Sequence, residues 1–217
     1  MPPEFAPVTD RVFFAGSAQR LARRLLGCVL VRRLGNVVLA GIIVETEAYL
    51  GARDAASHAF RNRRTARTEP MFGPPGTAYV YFTYGMHHCL NVVCGRVGVP
   101  AAVLLRALRP IAGLDQMRAR RPSAAAKPDT ALCSGPARLC QAMDVDRRLN
   151  AIDLTVSEDL WIARPPDGRS PKSSQIAAGP RIGVDYAGDW ASKPLRFWIT
   201  DDANVSGAPA SRRGTRL

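Results

Sequence analysis

Apolar residues recur in "GSAQRLARRLLG" at Ala18, Leu21, Ala22 and Leu25, the spacing of one helical face, with Ser17 placed to cap the start and Gly27 to end it. The other face carries Arg20, Arg23 and Arg24, read as a solvated surface. "CVLVRRLGNVVLAGIIVETEAYL" predicts two strands joined at Leu34-Gly35-Asn36. The second strand passes from an apolar run into two glutamates. Strict alternation would put Ile43, Glu45, Glu47 and Tyr49 on one side and Val44, Thr46, Ala48 and Leu50 on the other. Either the acidic side is a cleft, or both acids sit in water. "TAYVYFTYGMHHCLNVVC" predicts a hairpin with its turn near Tyr84-Gly85-Met86 and a return strand through Leu90, Val92 and Val93. "PAAVLLRALRP" supplies a further apolar strand. Between these lie "RNRRTARTEPMFGPPG", a basic loop able to reach phosphates, and the surface loops "RPSAAAKPDTA" and "RPPDGRSPKSSQ". With no internal repeat and no clean linker, the pattern predicts one α+β domain over residues 1–205 and a disordered basic tail over 206–217.

Composition adds a partner to this picture. The 217 residues are 47% hydrophobic, enough for a substantial core and against disorder throughout. Lysine and arginine outnumber aspartate and glutamate by 30 to 18, a formal charge of +12, which suits a protein that meets phosphates. A basic protein with no such role is the plain alternative. Cys28, Cys89, Cys94, Cys133 and Cys140 form no C-x-x-C pair, and their odd number argues against a disulfide framework. They read as reduced core residues. "MPPEFAPVTD" lacks the regions of a signal peptide, and no apolar run nears the ~20 residues that span a bilayer. The expectation is a cytoplasmic chain with no membrane role.

Several residues do not look like packing. Arg106 interrupts "AAVLLRAL", so in a central strand its guanidinium needs acceptors, and Glu45 or Glu47 is the economical partner. At a strand end it would instead reach solvent. Two carboxylates on one face resist joint ionisation unless an arginine or other donors compensate them, and such an arrangement can hold one glutamate ready as a general base. Tyr49, Tyr79, Tyr81 and Tyr84 lie in or beside the same segments, where aromatics ordinarily pack. Tyr84 differs because it sits at a turn, before Gly85 and the pair His87-His88, placed to insert into something. No zinc spacing, nucleophile elbow, phosphate loop or dinucleotide fingerprint is present, so no metal and no cofactor is expected. Water activated by a glutamate is the chemistry best supported. A non-catalytic nucleic-acid binder would share the charge and Tyr84 but leaves Glu47 and Arg106 without a purpose. A carbohydrate hydrolase would use two carboxylates but gains nothing from the positive charge.

Taken in order, "VETEAYLG", His58, "MFGPPGTAYVYFTYGMHHCLNVV", "AAVLLRAL", "GPARLCQAM", "NAIDL" and "RIGVDYAGDWASKPLRFWI" resemble the 3-methyladenine (alkyladenine) DNA glycosylases, over about residues 18–199. The resemblance implies a compact domain on a curved, mainly antiparallel sheet with flanking helices and a protruding hairpin. It implies base-excision repair by a monomer located with DNA in the cytoplasm or nucleus: flipping alkylated purines such as 3-methyladenine and 7-methylguanine, and deaminated or etheno purines, from double-stranded DNA and hydrolysing the N-glycosidic bond. By position Glu47 matches the water-activating base, Arg106 a residue holding the water, and Ile182 a backbone carbonyl doing the same. Glu45 has no catalytic counterpart and reads as structural support. Tyr49, His58 and Tyr81 match pocket walls, Asn91 the residue disfavouring guanine, and Tyr84 the side chain filling the gap in the duplex. Arg138 stands where the family commonly has lysine, the stretch between Asn91 and Arg106 is slightly longer than in vertebrate relatives, and His87-His88 replaces more apolar or aromatic residues.

Overall fold

The apolar run that ends in the two acids is one long strand, β2 (Val37–Tyr49), and the remaining strands are hung on it. The computed structural model describes residues 5–207 and 215–216. Within them, β1 (Val29–Leu34), β3 (Ala78–Thr83), β4 (His87–Val93), β5 (Ala102–Ala112), β6 (Leu160–Ala163), β7 (Ile176–Gly179), β8 (Arg196–Ile199) and β9 (Thr215–Arg216) complete a single curled sheet in which every pairing is antiparallel. On one side of β2 the order is β5, β4, β3. On the other the sheet forks: residues 37–42 pair with β1, which carries β6, and residues 45–47 pair with β8, which carries β7 and then β9. The predicted α+β class with a curved, mainly antiparallel sheet is what forms.

Among the described residues three α-helices flank the sheet: α1 (Ala18–Leu25), α2 (Leu114–Arg120) and α3 (Pro136–Ala142). In α1 the Ser17 hydroxyl accepts from the Arg20 N–H, and Ala18, Leu21, Ala22 and Leu25 are buried, as the spacing predicts. They join the main core with Ile43, Val80, Leu90, Val92, Val103 and Leu105. Each of these large side chains contributes roughly 1.5–3 kcal/mol by leaving water. The turn Gly35-Asn36 takes positive φ at its glycine, the pattern of a two-residue type II′ hairpin that matches the twist of β1 and β2.

One expectation fails, at the fork. Ile43 does not share a face with the acids; it packs in the α1 core, while Val44 turns to the other side against Ala107 and Trp198. The ladder pairs Ile43 with Leu108, Glu45 with Ala107 and Thr46 with Leu105, so β2 and β5 each hold one residue more than strict pairing allows, Val44 and Arg106. Bulges of this kind re-aim side chains. Here they set Glu45 and Arg106 on the same surface as Glu47, while Thr46 reaches the Ala22 carbonyl of α1 through its hydroxyl (3.0 Å).

Part of the tail expected to be disordered over residues 206–217 is among the described residues. Ser206 is buried, and Thr215–Arg216 pairs with Ala177 and Ala178; residues 208–214 and 217 lie outside the described residues.

Candidate active site

One rung of the sheet crosses five strands, through Tyr79, Asn91, Leu104, Glu47 and Arg196. Residues opposite one another in a ladder share a face, so alternation in separate stretches of sequence delivers these side chains to a single surface. Two residues along each strand add Tyr81, Cys89 and Arg106 in one direction and Val93, Ala102 and Tyr49 in the other. The surface floors a cavity of about 210 Å³. The cavity is lined by Tyr49, His58, Tyr81, Asn91, Arg106, Ile182 and Tyr84, seven of the eight residues to which the resemblance gives a role in the site. The eighth, Glu47, lies directly beneath, fully buried and bonded to three of the lining residues.

Glu47 Oε1 accepts from the Ile182 N–H at 2.8 Å and lies 3.1 Å from Arg106 Nη1. Its Oε2 accepts from the Tyr49 hydroxyl at 2.9 Å. A carboxylate offers about four acceptor positions, so these three partners orient it and leave an acceptor position on Oε2. Ile182 therefore meets the acid through its N–H, a contact the sequence did not suggest. Burial, helped by the Glu47 charge, pushes the Tyr49 hydroxyl well above the ordinary tyrosine range, which keeps it a donor. Arg106 is buried, which opposes its charge, but the carboxylates of Glu47 and Glu45 outweigh that and raise its pKa.

Glu45 is enclosed by different partners. Its Oε1 takes Arg106 Nε at 3.1 Å and Arg196 Nε at 2.6 Å, and its Oε2 takes the Ser206 N–H at 2.7 Å. Arg106 thus spans the two acids, the arrangement expected if its strand is central. The structural role read for Glu45 agrees with these contacts.

Above the acids the walls are aromatic. His58 shares a 2.8 Å hydrogen bond with the Tyr79 hydroxyl and meets the Tyr81 ring edge-on, with centroids 4.6 Å apart. Burial, reinforced by the charges of Arg67 and Arg63, lowers the His58 pKa to about 4, so its imidazole is neutral at pH 7. Asn91 donates to the Tyr79 carbonyl across the hairpin (3.0 Å), which fixes its amide plane against the cavity. Arg181, buried under the Tyr49 ring at 4.6 Å, grips both oxygens of Asp54 at 2.6 and 2.8 Å. That ion pair ties the loop carrying His58 to the loop carrying Ile182.

At the rim, Tyr84 is 85% exposed and takes φ of +52°, followed by Gly85 at +68°. Within this three-residue loop the Met86 N–H closes a turn onto the Thr83 carbonyl at 3.2 Å, and positive φ at both of its central residues is the type I′ pattern, ordinarily filled by Asn-Gly. A tyrosine there is held in an unfavourable backbone conformation while its ring stands in solvent. Met86 is likewise exposed beside it. No group of three or more His, Cys, Asp or Glu side chains that could hold a metal ion occurs among the described residues.

Sequence reasoning missed Arg196, Ser206 and the Arg181–Asp54 pair. Arg196 had a usable signal: it interrupts the apolar "LRFWI" as Arg106 interrupts "AVLLRAL", and the same argument about a buried charge applies. Asp54 and Ser206 sit in loop-like sequence with nothing to mark them.

A buried acid beneath a cavity walled by aromatic rings has the shape to accept a flat, ring-shaped ligand. The sequence model of the methylpurine-DNA glycosylase (MPG) family matches residues 12–203. The chain is 45% identical over 201 residues to the human "DNA-3-methyladenine glycosylase", covering 89% of this chain and 66% of the human protein. It is 46% identical to the "Putative 3-methyladenine DNA glycosylase" of Myxococcus xanthus, covering 93% and 95% of the two chains, and 47% identical to that of Methanocella arvoryzae, covering 92% and 96%. The chain thus spans just under two thirds of the human relative and nearly all of the bacterial and archaeal ones. It belongs to the methylpurine-DNA glycosylase family.

Proposed function

We propose that the chain is a DNA glycosylase of base-excision repair that flips damaged purines from duplex DNA and hydrolyses their bond to deoxyribose. The observation that carries this reading is the Glu47 carboxylate, fully buried yet pointed by Ile182, Arg106 and Tyr49 at the floor of an aromatic cavity. An extrahelical purine would stack between Tyr49, His58 and Tyr81, with Asn91 set against its edge where the 2-amino group of guanine would fall. Tyr84 would take the place of the flipped nucleotide in the stack.

Glu47 then acts on a water placed between it and the sugar. As the bond from C1′ to the purine nitrogen lengthens, positive charge grows on the sugar and is stabilised by the carboxylate. The water oxygen bonds to C1′, its proton passes to Glu47, and the bonding pair leaves with the base. In an N3- or N7-alkylated purine that pair cancels the positive charge of the ring, so the base is a good leaving group. Arg106 holds Glu47 in place.

Methylated duplex DNA, with the released bases identified by chromatography, tests the reading. Glu47→Gln should lower release by about 10²–10⁴-fold while lesion binding and folding persist, because Arg106 keeps Glu45 as its counter-ion. Glu45→Gln should act chiefly on stability, since it leaves Arg106 and Arg196 short of a buried anion, an effect of roughly 3–5 kcal/mol. Equal loss of turnover per folded molecule in both variants would remove Glu47 from the role of base.

A further inference from the structure

The charges beneath the cavity cancel: Glu45 and Glu47 lie against Arg106 and Arg196, and Asp54 lies against Arg181. The wall is different. Arg67 does not itself line the cavity but an adjoining cleft that shares His58 with it; its guanidinium lies 5.2 Å from the centroid of the Tyr81 ring and forms no ion pair with a carboxylate among the described residues. It also acts on the hydroxyl of Tyr79, the residue that hydrogen-bonds His58. Its neighbour in the same loop, Arg64, is by contrast neutralised by Glu69 at 2.6 Å.

An aromatic wall favours a cationic ligand through the negative face of its ring. In this cavity that attraction is already partly answered: Tyr81 carries a cation of the protein, and the same cation repels positive charge brought alongside. His58, in the same wall, registers that field, since Arg67 and Arg63 add to burial in opposing its protonation.

Resting on the glycosylase reading, we infer that Arg67 is a specificity-determining residue that biases the cavity against cationic purines and toward neutral ones. Deaminated and etheno purines then hold their places by stacking and shape, while N3- and N7-alkylated purines bind less well and depend more on the lability of their own bond. Arg67 is exposed, so its field is screened, and the bias is one of several-fold rather than of orders of magnitude.

The test compares rates of release, under single-turnover conditions, of 3-methyladenine and 7-methylguanine against hypoxanthine and ethenoadenine, all in duplex DNA. Removing a surface charge weakens binding to every duplex alike, and taking ratios within one variant cancels that loss. Arg67→Met should raise the ratio of cationic to neutral lesions about three- to tenfold, and Arg67→Lys should keep the wild-type ratio. An unchanged ratio in Arg67→Met would overturn the inference. A shift that groups 7-methylguanine with undamaged guanine, instead of with 3-methyladenine, would also overturn it by pointing to the 2-amino group. Wild-type protein that releases none of the four bases would fail the glycosylase reading itself, a separate result.

Discussion

At the scale of single residues, the site uses burial to decide which groups carry charge. His58 is the clearest case, with a pKa lowered from 6.5 to about 4 by desolvation and by the arginines of its loop. An unfolded chain would bind a proton at His58 near pH 6.5, whereas the folded chain resists until about 4. The unfolded state therefore holds more protons in that window, and stability must fall as pH falls. The contribution is complete above pH 6.5, declines below it and is lost beneath about 4. It amounts to something on the order of 3 kcal/mol. His58→Gln should flatten that part of the pH dependence of the urea midpoint. An imidazole resonance that titrates near 6.5 in the folded protein would contradict the account. The sequence marked His58 only through resemblance; the neutral state comes from loops, 51–58 and 61–68, whose packing no periodicity describes.

The elements divide by how much pattern they contain. The hairpin β3–β4 and strands β2 and β5 were legible because each runs for six or more residues of mainly apolar, strand-prone sequence, and α1 because its cap, its face and its stop agree. Strands β6, β7 and β8 have four residues each, almost all buried on both sides, and α2 and α3 have seven, barely two turns. Over such lengths neither a period of two nor one of 3.6 can be told from a short apolar run. The bulges escaped for another reason: nothing in "IIVETE" marks Val44 as the extra residue, because its side chain is buried on either face. Tyr84 shows an element yielding stability to a site. Asparagine tolerates the left-handed conformation of its turn far better than tyrosine, so Tyr84→Asn should stabilise the hairpin by roughly 0.5–1.5 kcal/mol. On the wedge role proposed for Tyr84, the same change should slow excision from well-paired duplex by about tenfold or more, because less would then oppose return of the base. A lesion in an unpaired stretch should suffer much less. If thermal stability fell and both substrates slowed equally, Tyr84 would be a folding residue.

At the scale of the whole molecule, the site exists because residues far apart in sequence fall on one rung. Charge logic alone could pair Arg106 with Glu45 or Glu47 from sequence, since each was an anomaly in an apolar strand that needed a partner. What sequence could not supply was the closure of that pair from behind by a segment near the end of the chain. The Ser206 N–H binds Glu45, its hydroxyl accepts from Arg106 Nη2 at 3.3 Å, and its carbonyl accepts from Arg196 Nη2 at 3.1 Å. One residue therefore touches all three members of the network that fixes Arg106 toward Glu47. With Val205 buried beside it against Val44 and Trp198, the segment excludes water from these charges. Truncation after Asp202 should leave Glu45, Arg106 and Arg196 lacking three hydrogen bonds and open to solvent, a loss of about 3–5 kcal/mol. For a chain of this size that corresponds to a melting temperature lower by roughly 10 °C. Truncation after Gly207 keeps Ser206 and removes only the two-residue pairing of β9 from the described fold, so its melting temperature should stay within a few degrees of the full chain. Because Arg106 is aimed through Ser206, the shorter protein assayed well below its transition should also release base more slowly per folded molecule, while binding lesion DNA as tightly. Two truncations with equal melting temperatures would show that Ser206 is not the latch.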